Sequence, residues 1–248
     1  LSGVVLSVCL AKYLYLKRNE LQHSYRFVFL PETIGAVAYL FKNEEIMRKI
    51  DCGFVITTVG GKGVIGFKSS FDPTHEINGI ANSVLSDNVK NYVQYPFDIR
   101  GSDERQYSSQ QFRINTVSIT KDKYYEYSYY HTSLDNLQFV ETDSIMETLK
   151  IYCQVTDLLD LNIKFKNTSG FGEPMLSKYD LYPHLGGSAK FHNGRDLTKI
   201  DIILWLLHYC DGNKSLYEIS IKMNVPIKIL YEVGSELVTK GLLSKSSE

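Results

Sequence analysis

Gly53-Phe54-Val55-Ile56-Thr57-Thr58-Val59-Gly60-Gly61-Lys62-Gly63-Val64-Ile65-Gly66-Phe67-Lys68 is the stretch on which the fold turns. Its first half is a short, continuous apolar run rich in β-branched residues, as in a strand buried on both faces. Gly60, Gly61 and Gly63 break that run, and residues 64–68 resume it as a second strand. Asp72-Pro73-Thr74 then signals the start of a helix over 74–85. A strand, a glycine turn, a strand and a helix in immediate succession place the chain outside the all-helical class.

The same alternation continues in both directions. Residues 1–16 carry Val4, Val5, Val8, Leu10, Ala11 and Leu14 at helical spacing. Residues 25–30 are another apolar run, stopped by Pro31, and 33–42 resume as a helix holding Ile34, Val37, Ala38, Leu40 and Phe41. Downstream, 93–97 and 114–119 read as strands and 103–109 as a short helix. Residues 143–161 read as a long amphipathic helix with Ile145, Leu149, Tyr152, Val155, Leu158 and Leu159 inward. The expected class is α/β, a mostly parallel sheet flanked by helices. Sites in such sheets lie beyond the carboxyl ends of the strands. Glu32 follows the run 25–30 and His131 follows 114–119, so both are expected on one edge.

From residue 164 the composition changes. Gly170, Gly172, Gly186, Gly187 and Gly194 join Pro174 and Pro183 without a period, which marks a connector over 164–195. Three short helices follow, at 197–209, 215–223 and 226–240, with Asp211-Gly212 as a turn and Gly241-Leu242-Leu243 as the end. Ser215 and Glu218 have capping-box spacing. With Leu206, Leu207, Ile219, Leu230, Leu237 and Leu242 as core, this is the pattern of a winged helix-turn-helix. The domain reading is therefore an α/β domain over 1–163, a connector over 164–195 and a winged helix over 196–248.

The 248 residues carry a net charge of −1 and are 44% hydrophobic. That is a globular composition with no global field to hold nucleic acid or an anionic membrane. The helix 226–240 balances Lys228 and Lys240 with Glu232 and Glu236, so a protein partner or a homo-oligomer suits the winged helix better than nucleic acid. Cys9, Cys52, Cys153 and Cys210 form no CxxC pair and read as free thiols of a reducing compartment, which gives a cytoplasmic expectation. Residues 1–16 lack the basic start of a signal peptide. Leu1 opens in mid-helix without a cap, so the sequence reads as a piece of a longer protein.

Two segments carry chemistry. Tyr130-His131-Thr132-Ser133-Leu134-Asp135-Asn136 places an imidazole in a loop with Thr132 and Asp135 beside it, a pattern that suits a metal ligand. Gly101-Ser102-Asp103-Glu104-Arg105-Gln106 brings two acids and a base to the start of a helix. With Glu32 after Pro31, one carboxylate and one imidazole make a minimum kit for metal-assisted hydrolysis. Plainer readings stand beside these. His131 is also what a hydrogen-bonded surface histidine looks like, and Glu32, Asp103 and Glu104 are each placed to face a helix N-terminus. Tyr124, Tyr125, Tyr127, Tyr129 and Tyr130 suit a substrate cleft or a partly exposed hairpin equally. His75, His184, His192 and His208 have no ligand spacing.

Phe29-Leu30-Pro31-Glu32-Thr33-Ile34-Gly35, the 101–106 and 130–136 segments, Gly172-Glu173-Pro174 and Leu181-Tyr182-Pro183, in that order, resemble a bacterial aminopeptidase-like family that carries a C-terminal winged helix. Its peptidase domain is similar to zinc aminopeptidases and glutaminyl cyclases. The resemblance implies a zinc cofactor and a peptide or small amide substrate. It implies His131 as a metal ligand and Glu32 as general base or ligand. Asp103, Glu104, Arg105, Tyr130 and Asp135 become substrate or supporting contacts. It also exposes departures. Only Glu32 stands where two adjacent glutamates are the rule, and Thr57-Thr58-Val59-Gly60 replaces a metal-binding Asp. A His and a bridging Asp of the pattern would precede Leu1, so this piece is expected to hold zinc weakly and to be inactive by itself. The alternative function is a non-catalytic binding or scaffold protein that keeps the peptidase fold and makes protein contacts through the winged helix.

Overall fold

The computed structural model describes residues 1–182 and 197–246. It divides into two units, Leu1–Leu159 and Asp160–Glu248. His184, His192, Pro183 and the connector glycines Gly186, Gly187 and Gly194 lie outside the described residues.

In the first unit the elements run α1 (Ser2–Leu16), α2 (Ile34–Lys42), α3 (Glu44–Met47), β1 (Cys52–Phe54), β2 (Ile65–Lys68), α4 (Glu76–Asn88), β3 (Tyr92–Tyr95), α5 (Glu104–Tyr107), β4 (Asn115–Thr120) and α6 (Thr142–Leu161). The strands pair in the order β1-β4-β2-β3. β1 and β4 are parallel, as are β2 and β3, but β2 meets β4 antiparallel, with Phe67 opposite Ile119 and Lys68 opposite Ser118. The sheet is thus mixed, and its carboxyl ends do not share one edge. β2 and β3 end on the side where β4 begins.

The core forms where the periodicity placed it. β2 and β4 are buried along their whole length, as central strands covered on both faces should be. Ile65, Phe67, Val117 and Ile119 meet the stripes Ile77, Ile80, Ala81, Val84 and Leu85 of α4 and Ile151, Tyr152 and Val155 of α6 as buried residues. Tyr152 is fully buried, and its hydroxyl is satisfied on both sides by Ile119. It accepts from the Ile119 N–H and donates to the Ile119 carbonyl, each at 3.0 Å. A buried tyrosine with a paired hydroxyl fixes α6 to β4 without an unsatisfied polar group. α1 buries Leu6, Leu10 and Leu14 and is tied to α6 through Asp157, which takes Tyr13 and Lys17. His75 caps α4, its Nδ1 accepting from the Ile77 N–H at 3.3 Å.

Residues 25–30 correct the sequence expectation. They form no strand; they run half-exposed, with Phe29 at 54% exposure, and join no ladder among the described residues. The apolar run was read as a strand on hydrophobicity alone, but a strand needs a partner edge. The strand expected over 53–59 is also cut short, to the half-buried β1 (Cys52–Phe54), and the remaining expected elements appear within a few residues of their predicted limits. Of the positions predicted inward on α6, Tyr152 and Val155 are buried while Ile145, Leu149, Leu158 and Leu159 are half-buried.

The second unit contains β5 (Lys164–Asn167), a 3-10 turn (Leu176–Tyr179), α7 (Lys199–Tyr209), β6 (Asp211–Ser215), α8 (Leu216–Met223), α9 (Ile227–Thr239) and β7 (Leu243–Lys245). β5 is the central strand, antiparallel to β6 on one side and β7 on the other. This is the three-helix, three-strand arrangement of a winged helix. The Ser215–Glu218 capping box forms, and Thr198 with Asp201 forms another at α7. Asp211-Gly212 and Leu243, expected as turn and tail, are strand residues instead. Asp-Gly-Asn-Lys-Ser has little strand propensity of its own, and the ladder with β5 supplies what the sequence lacks. No helix among the described residues is long and apolar enough to cross a membrane.

Candidate functional site

The candidate site is built around the start of α5, on the edge where β2 and β3 end and β4 begins. α5 has one turn, and three successive residues at its entry point different ways. Ser102 donates from Oγ to Glu32 Oε1 at 2.5 Å. Asp103 accepts the Thr33 N–H on Oδ1 at 2.7 Å. Glu104 turns inward, 1% exposed, and its Oε1 takes both the Lys68 ammonium at 2.5 Å and the Tyr124 hydroxyl at 2.7 Å.

The first two contacts clamp a strained turn. Thr33 has φ 60° and ψ −72°, and the Ile34 N–H donates to the Glu32 carbonyl at 2.7 Å. Those values define a γ-turn of the rare, strained kind. A β-branched residue at positive φ is a true outlier, and it persists only where the surroundings over-determine it. Ser102 and Asp103 are those surroundings. The strain fixes Glu32, itself exposed, at the mouth of the cluster.

Lys68 ends β2, and its side chain is 6% exposed. Besides Glu104 it reaches the carbonyls of Arg100 at 3.0 Å and Asp98 at 3.4 Å, and it lies 5.4 Å from the Tyr124 ring centroid. The ion pair is therefore hydrogen-bonded on the cation side. On the carboxylate side, Glu104 Oε2 is buried without a partner among the described residues. Gly101 makes this packing possible, because a Cβ there would collide with the Glu104 carboxylate and the Lys68 ammonium.

Tyr124 opens the segment 121–140, which contains no helix or strand and advances by successive turns. A structureless stretch of that length is unusual in a compact domain and is commonly functional. Its aromatic residues form a chain of ring contacts, edge-to-face and tilted at first and stacked at Tyr130–His131. Tyr124 meets Tyr125 at 5.9 Å, Tyr125 meets Tyr130 at 4.9 Å, and Tyr130 lies on the His131 ring at 4.0 Å with 15° between planes. Tyr125 and His131 have φ of 68° and 55°, both left-handed. The segment is neither of the two simple forms the sequence suggested; Tyr124 is buried, while Tyr125 is 67% exposed.

The electrostatics follow from this crowding. Burial raises the Asp103 carboxyl above its ordinary value, the Thr33 N–H pulls it back, and the charges of Glu32 and Glu104 add to the rise. Tyr130 is pushed up to about 12 by burial, by its contact with Tyr125 and by the Glu32 charge. Burial and the bond to Glu104 hold the Tyr124 phenol far above its usual range.

Glu32, Asp103, Glu104 and Tyr130 thus share one neighbourhood, and His131 joins it through Tyr130. Asp135 accepts the Tyr127 hydroxyl at 2.9 Å, and Tyr127 packs on Tyr130 at 5.6 Å, so Asp135 braces the loop. Arg105 faces away, donating to the Ile99 carbonyl at 3.3 Å. The edge argument that joined Glu32 to His131 does not hold, because 25–30 is no strand and β4 ends opposite β2 and β3. The link between them is indirect: the Glu32 charge acts on Tyr130, whose ring lies on that of His131. Lys68 was not among the predicted site residues, and Tyr124 was named only as one of the tyrosines that suit a cleft or a hairpin. The available signal was a lysine closing the otherwise apolar Ile65-Gly66-Phe67, a charge that a buried strand carries only with a partner. Among the described residues no three His, Cys, Asp or Glu side chains could hold a metal ion. The described donor set therefore does not fit zinc by itself.

A family model described as a domain of unknown function (DUF4910) matches residues 1–162. The chain belongs to this family. A winged helix-turn-helix model matches residues 163–245, in agreement with the second unit. Over 243 residues the chain is 32% identical to a Clostridium acetobutylicum protein provisionally named a polysaccharide biosynthesis protein with aminopeptidase-like domain, a match covering 98% of this chain and 54% of that one. A crystal structure from Clostridium acetobutylicum, provisionally described as a peptidase, aligns with a TM-score of 0.76 at 30% identity, covering 98% of this chain and 53% of the other. The chain spans about half the length of the relatives it matches. The aminopeptidase-like resemblance drawn from the motifs agrees with the names these relatives bear.

Proposed function

We propose that the first unit is the peptidase-like part of a hydrolase acting on a peptide or a small amide-bearing molecule, with Glu32 as general base. The observation that carries this is the clamped γ-turn. Strain of that kind is retained where it positions a reacting group, and here it holds a carboxylate whose charge reaches Tyr130, the ring that lies on His131. Glu32 would take a proton from the water that attacks the amide carbon, and that proton would pass to the leaving nitrogen as the C–N bond breaks. Ser102 orients the carboxylate. Asp103 and Glu104 hold the turn and the loop, and Tyr130 and His131 line the approach. The relatives' names support the reaction class, and the wider resemblance to zinc aminopeptidases and glutaminyl cyclases supports the substrate class. The test is hydrolysis of a panel of aminoacyl-coumarin amides. Turnover that falls by a factor of about 10² or more in Glu32→Gln supports the reading. Turnover unaffected by that change refutes it.

A second reading is a binding or scaffold protein that keeps the fold; among the described residues no three metal donors come together. The winged helix suits protein contacts better than nucleic acid. Glu236 of α9 pairs with Lys199 at 2.6 Å, and Lys240, at its C-terminal end, donates to the Tyr179 carbonyl at 2.5 Å, so these two charges serve the unit itself. Zinc calorimetry separates the readings on the metal question. Tight stoichiometric binding by this chain would restore a metallohydrolase.

A further inference from the structure

The entry to α5 holds Glu32 with one residue and the aromatic loop with another. Ser102 and Asp103 fix the turn that carries Glu32, while the next residue, Glu104, receives Tyr124, the first ring of the chain of aromatic contacts that ends on His131. We infer that Glu104, held by Lys68, is a positioning residue that sets the His131 loop against Glu32 through the hydroxyl of Tyr124. This rests on the reading of Glu32 and His131 as parts of one site.

Three observations carry it. The loop has two non-glycine residues at left-handed φ, Tyr125 and His131, a conformation that tertiary contacts must impose. Most of its other bonds tie the loop to itself or its ends to the fold. Tyr127 holds Asp135 and stacks on Phe139 at 5.5 Å, and Lys62 with Glu141 holds the far end. Lys123 lies over the Tyr95 ring at 4.1 Å and Glu126 accepts the Tyr95 hydroxyl at 3.4 Å, which steadies the near half against β3 but not against Glu32. The Tyr124–Glu104 bond is the buried contact that ties the stack to the same turn as Ser102 and Asp103. A fully buried carboxylate is a rigid anchor when a buried ammonium and two backbone carbonyls hold its partner in place.

The experiment is nuclear Overhauser spectroscopy on the whole chain with selectively labelled Tyr and His. Wild type gives cross-peaks from the Tyr125 ring to Tyr130 and to His131, whose centroids lie 4.9 and 6.5 Å away. Tyr124→Phe keeps the ring and removes the hydroxyl. The expected result is loss of both cross-peaks with β4 and α4 amide resonances unchanged. Lys68→Met is expected to lose them as well, with a lower thermal midpoint, and Lys68→Arg to retain them. Cross-peaks at wild-type intensity in Tyr124→Phe would overturn the inference. So would their loss together with displaced β4 resonances, since the hydroxyl would then serve the fold and not the loop. The readout is geometry, not turnover. An inactive protein with the expected spectra would sink the hydrolase reading alone.

Discussion

Ser102 Oγ and Glu32 Oε1 meet at 2.5 Å across 70 residues of sequence, and the next residue, Asp103, accepts the N–H of Thr33. The pair explains why a strained γ-turn survives at the entry to α2. Its two halves are each weak, an exposed hydroxyl–carboxylate bond and one backbone bond, but together they leave the turn no other geometry.

Thr33→Gly should therefore stabilise the protein. A strained backbone position costs about 1–3 kcal/mol, and glycine's extra chain entropy returns about 0.5–1 kcal/mol of that. A net gain of about 1 kcal/mol is expected, read as a rise in thermal midpoint. Glu32 should also become less fixed, so the gain in stability should come with loss of any turnover that depends on it.

The Lys68–Glu104 pair is buried on both sides. Removing one partner leaves an uncompensated charge, so Lys68→Met alone should cost about 3–5 kcal/mol in urea unfolding. The double change Lys68→Met with Glu104→Leu should recover most of that loss, because two apolar groups of similar volume need no pairing. A double variant no better than the single would show that the Tyr124 bond, not the charge, carries the cost.

Asp103 should give the protein a pH dependence of definite sign. Its folded value is raised, chiefly by burial. The folded state then binds more protons than the unfolded state in the window above the unfolded value of about 3.9. Stability is fully present below that value and falls as pH rises through the raised folded value. Asp103→Asn keeps an acceptor for Thr33 and removes the ionisation, so its midpoint should gain on wild type as pH rises from 4 toward neutrality. A constant difference across that range would contradict this account.

Gly234 sits inside α9, where alanine would ordinarily add about 1 kcal/mol. A Cβ there would drive into the ring of Phe165, which is fully buried on β5. Gly234→Ala should instead cost about 1–3 kcal/mol by overpacking. Gly234→Ala with Phe165→Leu should return part of it. Thermal melts of the two variants check this.

Legibility differed by kind of feature. The helices α1, α4 and α6 and the strands β2 and β4 could be read because each carries its own periodicity or an unbroken apolar run. The winged helix could be read from Ser215–Glu218 and Pro226, which are local signals. Residues 25–30 misled because apolar content does not specify a ladder partner. Asp211–Ser215 misled the other way, a polar pentapeptide made into a strand by β5. Of the site, Glu32, Asp103, Glu104, Tyr130 and His131 were legible as residue types near turns. Arg105 was drawn in by its neighbours and faces elsewhere. Lys68 was hidden because its partner lies 36 residues away.

The sequence by itself determined the α/β character and the winged helix, since those depend on local pattern and side-chain type. Only the tertiary structure decided the antiparallel β2–β4 join, the pairing of Lys68 with Glu104 and the meeting of Ser102 with Glu32. Those rest on contacts between distant segments, whose free energy appears only when burial removes the competing water.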